Sequence, residues 1–194
     1  MASRGYKFVR YADDIVVLVK TKLEAENALA FAKDILQSLG LEASPEKTLI
    51  TSLSKGFHFL GFHFKGKNIT IRQKSKEKFE RAIEEITRRT NNFSSEVVES
   101  LNRIIRGTVN YFAKGYTNTI TYFGATDKWI RTRVRCMKYK RKWHTDNRRL
   151  KNKHIKNLGL LNCRELCQIA KERCLYSRKG NYIGTARCEK HARR

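Results

Sequence analysis

The hydrophobic period of this chain changes once, near residue 73, and no single-class fold accommodates both periods. Before that point short runs rich in β-branched and aromatic residues, Lys7 to Tyr11, Ile15 to Lys20, Lys47 to Leu53, Phe57 to Phe64 and Ile69 to Arg72, read as strands. One helix interrupts them: Leu23 to Leu39 sets Ala28, Phe31, Ala32, Ile35, Leu36 and Leu39 at helical spacing, closes at Gly40, and is expected to cover one face of the sheet. Beyond residue 73 the spacing is helical. Phe79, Ile83 and Ile86 form one stripe with Ser75 as N-cap. A second stripe runs through Val97, Leu101, Ile104, Ile105, Thr108, Val109 and Phe112, and a third through Ile120, Phe123, Ile130, Val134 and Met137. The expected fold class is α+β: a β-hairpin, a helix and antiparallel strands over 1–72, then a three-helix bundle with a basic extension over 73–194.

Charge divides too, at residue 50. The formal net charge is +24, yet residues 1–50 hold seven basic and seven acidic side chains, so 35 of the 42 basic residues and 11 of the 18 acidic ones follow. A surface for polyanions is therefore expected in the C-terminal part. Its densest stretch, Arg131 to Lys156, carries twelve Lys or Arg and one acid, Asp146, interleaved with Tyr139, Trp143 and His144. An ordinary solvated face mixes both signs. A hydrophobic fraction of 40% argues for a folded core despite the charge. The longest apolar run, Ile15 to Val19, is far too short for a membrane span, and the first residues reach acids before any secretory h-region forms. Five cysteines cannot all pair, which favours a reducing compartment.

The tetrad Tyr11, Ala12, Asp13, Asp14 lies between two apolar strands. Adjacent carboxylates at a hairpin tip repel each other, and a chain needing only a turn would use Asn-Gly. They suggest a bound cation. Mg²⁺ takes hard oxygen ligands, typically one or two carboxylates with water and substrate phosphates, and in two-metal phosphoryl transfer it activates the attacking hydroxyl and stabilises the leaving pyrophosphate. Taken alone, the tetrad is equally compatible with a structural turn.

FVRYADDIVVLV resembles the catalytic palm hairpin of reverse transcriptases, LGLEASPEKTLI the helix-to-strand segment after it, and GFHFLGFHF the primer-grip hairpin. Downstream, LNRIIRGTVNYF, TDKWIRTRVRCMKYKRKW, RRLKNKHIKNLGL and SRKGNY resemble the thumb, or maturase-specific domain, of group II intron reverse transcriptases. The motifs stand in the family's order from about Tyr6 to about Ala186. The resemblance implies the C-terminal part of a palm over 1–72 and a maturase (thumb) domain over 73–194. It implies Asp13 and Asp14 as the catalytic, Mg²⁺-binding pair, and Tyr11, Ala12, Lys47, Gly61 and Phe62 as nucleotide- and primer-binding residues, with Phe59 and Leu60 beside them. Lys47 is alternatively a surface lysine pairing Glu46 or Glu42, and the primer-grip aromatics are alternatively core. For RNA binding the resemblance implies Arg106, Asn110 and Tyr111 beside Gly107, then Trp129, Arg131, Arg133 and Arg135, and the basic residues Lys138, Lys140, Arg141, Lys142, Arg148, Arg149 and Lys151. Thr108 and Tyr182 stand where Trp is common in relatives.

The implied partners are group II intron RNA and an RNA template with a DNA primer, in a bacterial cytoplasm or an organelle, with no membrane. Fingers and a first palm strand with its own aspartate are not expected before Tyr6. Neighbouring carboxylates diverge along an extended chain, so two metals need acids from a further strand. The chain is thus expected not to polymerise alone and to rely on an N-terminal reverse transcriptase segment. A non-catalytic RNA-binding splicing factor is the alternative, separable by Asp13→Asn. Zinc on Cys163, Cys167, Cys174, Cys188 and His191 is not expected, since no C-x₂-C pair occurs. Cys163 and Cys167 read instead as the apolar face of a short helix with Leu166 and Ile169. The tail from Gly184 to Arg194 is too short for a DNA endonuclease.

Overall fold

The computed structural model describes residues 5–141 and 146–178. Lys142, Trp143, His144, Tyr182, Cys188 and His191 lie outside the described residues. Two compact units divide between Lys67 and Asn68.

In the first unit β1 (Lys7–Tyr11) and β2 (Asp14–Leu18) pair antiparallel, from Lys7 opposite Leu18 to Tyr11 opposite Asp14. The Ala12-Asp13 turn between them puts Ala12 at φ 49, and Arg10 Nε donates to the Ala12 carbonyl at 3.0 Å. Helix α1 (Lys22–Ser38) starts with a capping box unnoticed in the sequence: Thr21 Oγ1 accepts from the Glu24 amide at 3.2 Å, and Glu24 Oε2 accepts from the Thr21 amide at 3.4 Å. Its cover of the strands is partial. Ala28 is buried, Phe31, Ala32, Ile35 and Leu36 are half-buried, and Leu39 is 67% exposed.

Lys47 to Leu53 is not a strand. β propensity needs a partner strand to be realised, and here the Thr48 amide and hydroxyl return to Ser44 O at 3.0 and 2.8 Å while Leu49 is 75% exposed. The next segment is a hairpin of β3 (Phe57–Phe59) and β4 (Phe62–Lys65). Leu60 and Gly61 both have positive φ, 48 and 78, as a type I′ turn requires. Phe57 and Phe64, opposite each other, stack with centroids 5.0 Å apart.

The second unit begins with β5 (Asn68–Ile71). The Asn118 amide donates to Ile69 O at 2.7 Å, the Asn118 and Asn68 side chains bond, and Ile71 is buried. These ties draw the strand into the helical unit, so the division falls ahead of the period change at 72/73. α2 (Gln73–Ile86) follows directly, with Arg72 at its N-cap. Ser75, expected as the cap, lies inside the first turn, because the anchored end of β5 sets where the helix starts.

Then come α3 (Ser95–Phe112), α4 (Ile120–Lys138), the short α5 (Asp146–Arg149) and α6 (Asn152–Asn157), and α7 (Cys163–Arg178). The core joins Phe79 and Ile83 of α2 to Val98, Leu101, Ile105, Val109 and Phe112 of α3 and Phe123, Ile130, Val134 and Met137 of α4. Val98, three residues before Leu101, is buried, whereas Val97 is half-buried. α7 packs on both α3 and α4, so four long helices form the bundle where three were expected. Cys163 and Cys167 are fully buried, as the apolar-face reading requires. Burial, with the Asp127 carboxylate adding to it, pushes the Cys163 thiol up to about 12, which keeps it neutral and inert. Among the described residues no helix is long and apolar enough to cross a membrane.

Candidate functional site

The tip of the first hairpin gathers Tyr11, Ala12, Asp13 and Asp14, all exposed, with Tyr11 63% accessible. The left-handed φ of Ala12 places a side chain where glycine is cheaper, and the turn holds that strain with the Arg10 bond to the Ala12 carbonyl. Among the described residues neither aspartate is in an ion pair. Two adjacent carboxylates without an internal cation are a hard-oxygen donor set that suits Mg²⁺. Lys47 is exposed on the turn after Pro45, and among the described residues it pairs with neither Glu42 nor Glu46. Gly61 has a local reason to be glycine, the second positive φ of its turn. Phe62 is buried and meets Phe64 edge-on with centroids 6.3 Å apart, so its side chain belongs to the packing of the hairpin.

In the second unit the basic residues sort into two groups, and sequence could not sort them. Those on α4 and just after it are engaged with the fold: Arg135 is buried, Arg131 and Arg133 are half-buried, and Lys138 and Lys140 are exposed but in contact with neighbouring residues. Arg131 pairs with Asp127, which is buried and whose Oδ1 accepts from the Cys163 amide at 3.0 Å, joining α4 to the start of α7. Arg133 donates from Nε to Thr87 Oγ1 at 3.0 Å and from Nη2 to Glu84 O at 3.2 Å, with its guanidinium 6.0 Å from the Trp129 ring centroid. Arg135 is 8% exposed and donates to Leu150 O at 2.9 Å and to Asn152 Oδ1 at 2.8 Å. Burial, then the neighbouring Arg131 charge, holds it below the usual guanidinium range. Lys138 lies over the Phe93 ring at 5.3 Å, and Lys140 donates to Asn91 O and to Asn92 Oδ1. Four of these cations therefore hold helices and loops together through charge-assisted hydrogen bonds.

The second group faces out. Arg141, Arg148, Arg149 and Lys151 are exposed. So are Arg103 and Arg106 on α3, one turn apart, which among the described residues make no hydrogen bond or ion pair. They line a shallow concavity of about 520 Å³ with Glu99, Asn102, Gly107 and Asn110. At its C-terminal end Lys114 Nζ donates to Asn110 O at 2.9 Å, and Tyr111 is 48% exposed. Asn102 fixes one wall: its Nδ2 donates to Gly159 O at 2.8 Å and its Oδ1 accepts from the Leu161 amide at 2.9 Å. Sequence reading found Arg106, Asn110 and Tyr111 but missed Arg103, although its i, i+3 spacing to Arg106 was visible. Asn102 carried no signal, since its partners lie 57 and 59 residues away; Asp127 was missed although its i, i+4 spacing to Arg131 was visible, and only its bond to the Cys163 amide, 36 residues away, was hidden.

A family model for reverse transcriptase (RNA-dependent DNA polymerase) matches residues 2–64, and one for the group II intron, maturase-specific domain matches residues 76–158. The chain belongs to the group II intron reverse transcriptase/maturase family. No curated protein matches it. The reverse transcriptase match contains the Asp13-Asp14 hairpin and the Gly61 turn. The maturase match runs from within α2 through α6, hence over both groups of cations. α7 lies beyond it and is joined to it through Asp127.

Proposed function

We propose that this group II intron reverse transcriptase/maturase holds intron RNA on the exposed face of α3. The observation that supports this reading is the pair Arg103 and Arg106, two guanidinium groups without an internal partner, set in a concavity on a helix whose other face is packed. A guanidinium fork fits phosphate in two parallel hydrogen bonds. Arg148, Arg149 and Lys151 are exposed as well and add positive charge to the same unit.

At the β1–β2 tip, Asp13 and Asp14 are the residues that would hold Mg²⁺. When bound, that cation would activate a primer 3′-hydroxyl and stabilise leaving pyrophosphate on an RNA template. Tyr11 and Ala12 border the carboxylates on the strand side, and the Arg10 bond to Ala12 O keeps the tip in its turn. A further carboxylate from another strand, in an N-terminal reverse transcriptase segment, would complete the ligand set. The four described cysteines are free thiols, which suits the reducing interior of a bacterium or an organelle.

Asp13→Asn tests the two halves separately. Joined to its N-terminal segment, the variant should lose primer extension by several orders of magnitude while intron RNA binding and splicing persist. Extension at the wild-type rate would refute the metal role. It would leave the second unit as a splicing factor that does no chemistry.

A further inference from the structure

The α3 face carries a glycine that the fold does not use. Gly107 lies inside α3, five residues from its end, where glycine is a poorer helix former than any residue but proline. Two internal reasons can justify a helical glycine: a positive φ or a neighbour too close for a Cβ. Gly107 has neither. It is absent from the positive-φ glycines, and a Cβ built on it meets nothing within 4 Å. The contrast within this chain is direct, since Gly56 has a positive φ of 88 and a Cβ on it would meet Phe64 O at 2.8 Å.

We propose that Gly107 is where the sugar-phosphate backbone of RNA comes closest to the protein, lying against the bare α3 main chain while Arg103 and Arg106 take the flanking phosphates. The inference rests on the RNA-binding reading of this face and adds its point of contact. Charge selects the occupant: the open side of the concavity presents two unpaired arginines, with Lys114 beyond Asn110. Glu99 closes the opposite end of the same concavity, so phosphates are repelled there and the backbone runs over residues 103, 106, 107 and 110. A methyl group at 107 would hold the backbone off the helix and lengthen both arginine–phosphate bonds together.

The test measures stability and affinity on the same full-length variants, with a labelled group II intron transcript as the probe. Gly107→Ala should raise Tm by about 1–4 °C, because alanine is the better helix former and nothing obstructs it, yet weaken RNA binding about tenfold. Gly107→Leu should weaken it further. Gly124→Ala, in a helix interior away from this face, should bind like the wild type. Wild-type affinity in Gly107→Ala would overturn the inference while leaving RNA binding itself standing. A lowered Tm would overturn it as well, by showing that the fold needs this glycine. Equal loss in Gly124→Ala would show a general helix effect and refute the contact. A wild-type chain that fails to bind the transcript would overturn the underlying reading instead.

Discussion

Arg135→Ala and Arg106→Ala should fail in opposite ways, although both residues are arginines in a strongly basic domain. Arg135 is 8% exposed and makes two hydrogen bonds, to Leu150 O and Asn152 Oδ1. Hydrogen bonds from a charged donor contribute about 1.5–3 kcal/mol each. Leu150 is buried, so its carbonyl is left without a partner on truncation, whereas exposed Asn152 turns to water. The expected loss is about 2–4 kcal/mol, a large share of the roughly 5–15 kcal/mol that holds a domain folded. For a chain of this size that lowers Tm by roughly 5–15 °C. Arg135→Lys, able to make one bond at a time, should recover about half. Arg106 has no internal partner among the described residues, so Arg106→Ala should change stability by less than about 0.5 kcal/mol. It should instead reduce the slope of log affinity against log salt by about 0.7–0.9, the signature of one lost phosphate contact. Urea unfolding gives the first quantity, and filter binding at four salt concentrations gives the second, with affinities corrected for the folded fraction. Wild-type stability in Arg135→Ala with collapsed RNA binding would refute the division of cations into fold-engaged and outward-facing groups.

Three further outcomes follow from the same geometry. Asp127→Ala leaves Arg131 and the Cys163 amide without their shared acceptor and should cost about 2–4 kcal/mol in urea unfolding, reduced from the fully buried case because the Arg131 side chain is 19% accessible; Asp127→Asn, which keeps the acceptor for Cys163, should cost about half. The Cys163 thiol ionises near 9 in the unfolded chain but near 12 in the fold, so the stability it contributes is complete below pH 9 and declines by about 1.4 kcal/mol per pH unit from there to about 12. The difference between wild type and Cys163→Ala isolates that slope, and parallel pH curves would refute it. Gly61→Ala should destabilise the β3–β4 hairpin by about 1–2 kcal/mol because φ is 78 there, while Leu60→Asn at φ 48 should stabilise it, both read by hydrogen exchange of the Phe57 to Phe64 amides.

The helices were legible because burial repeats along them: Phe79 and Ile83, Leu101 and Ile105, and Ile130 and Val134 each recur one turn apart on a face that a partner covers. The first hairpin was legible as two apolar runs broken by Ala12, Asp13 and Asp14, while the second lay hidden in the strand-like run Phe57 to Phe64 and was marked only by the resemblance of GFHFLGFHF to a primer grip. Lys47 to Leu53 misled because its strand-forming residues find no partner strand, and the local bonds of Thr48 to Ser44 prevail. α7 was under-read as a short helix because its apolar face, Cys163, Leu166, Cys167 and Ile169, was followed only as far as the first cysteines' turns, although the helix runs on to Arg178. The site was legible as a composition and illegible as a direction. Arg131, Arg133 and Arg135 alternate on one turn of α4 beside Trp129, which in sequence looks like a nucleic-acid stripe. Arg131 has a local partner, Asp127 one turn earlier on α4, but Thr87, Glu84, Leu150 and Asn152 are brought to Arg133 and Arg135 by tertiary packing, which ties up these charges. Arg103 and Arg106 stay free because Glu99, the nearest acid on their face, forms no ion pair with them.

Arginine-specific modification with mass-spectrometric readout, with and without saturating intron transcript, tests the central claim most directly. The account predicts that in the free protein Arg103 and Arg106 react readily while Arg131, Arg133 and Arg135 react slowly, and that RNA shields Arg103 and Arg106 at least fivefold while leaving the α4 arginines unchanged. Undiminished reaction of Arg103 and Arg106 in a protein shown to be RNA-bound, or RNA-dependent protection confined to α4, would contradict it.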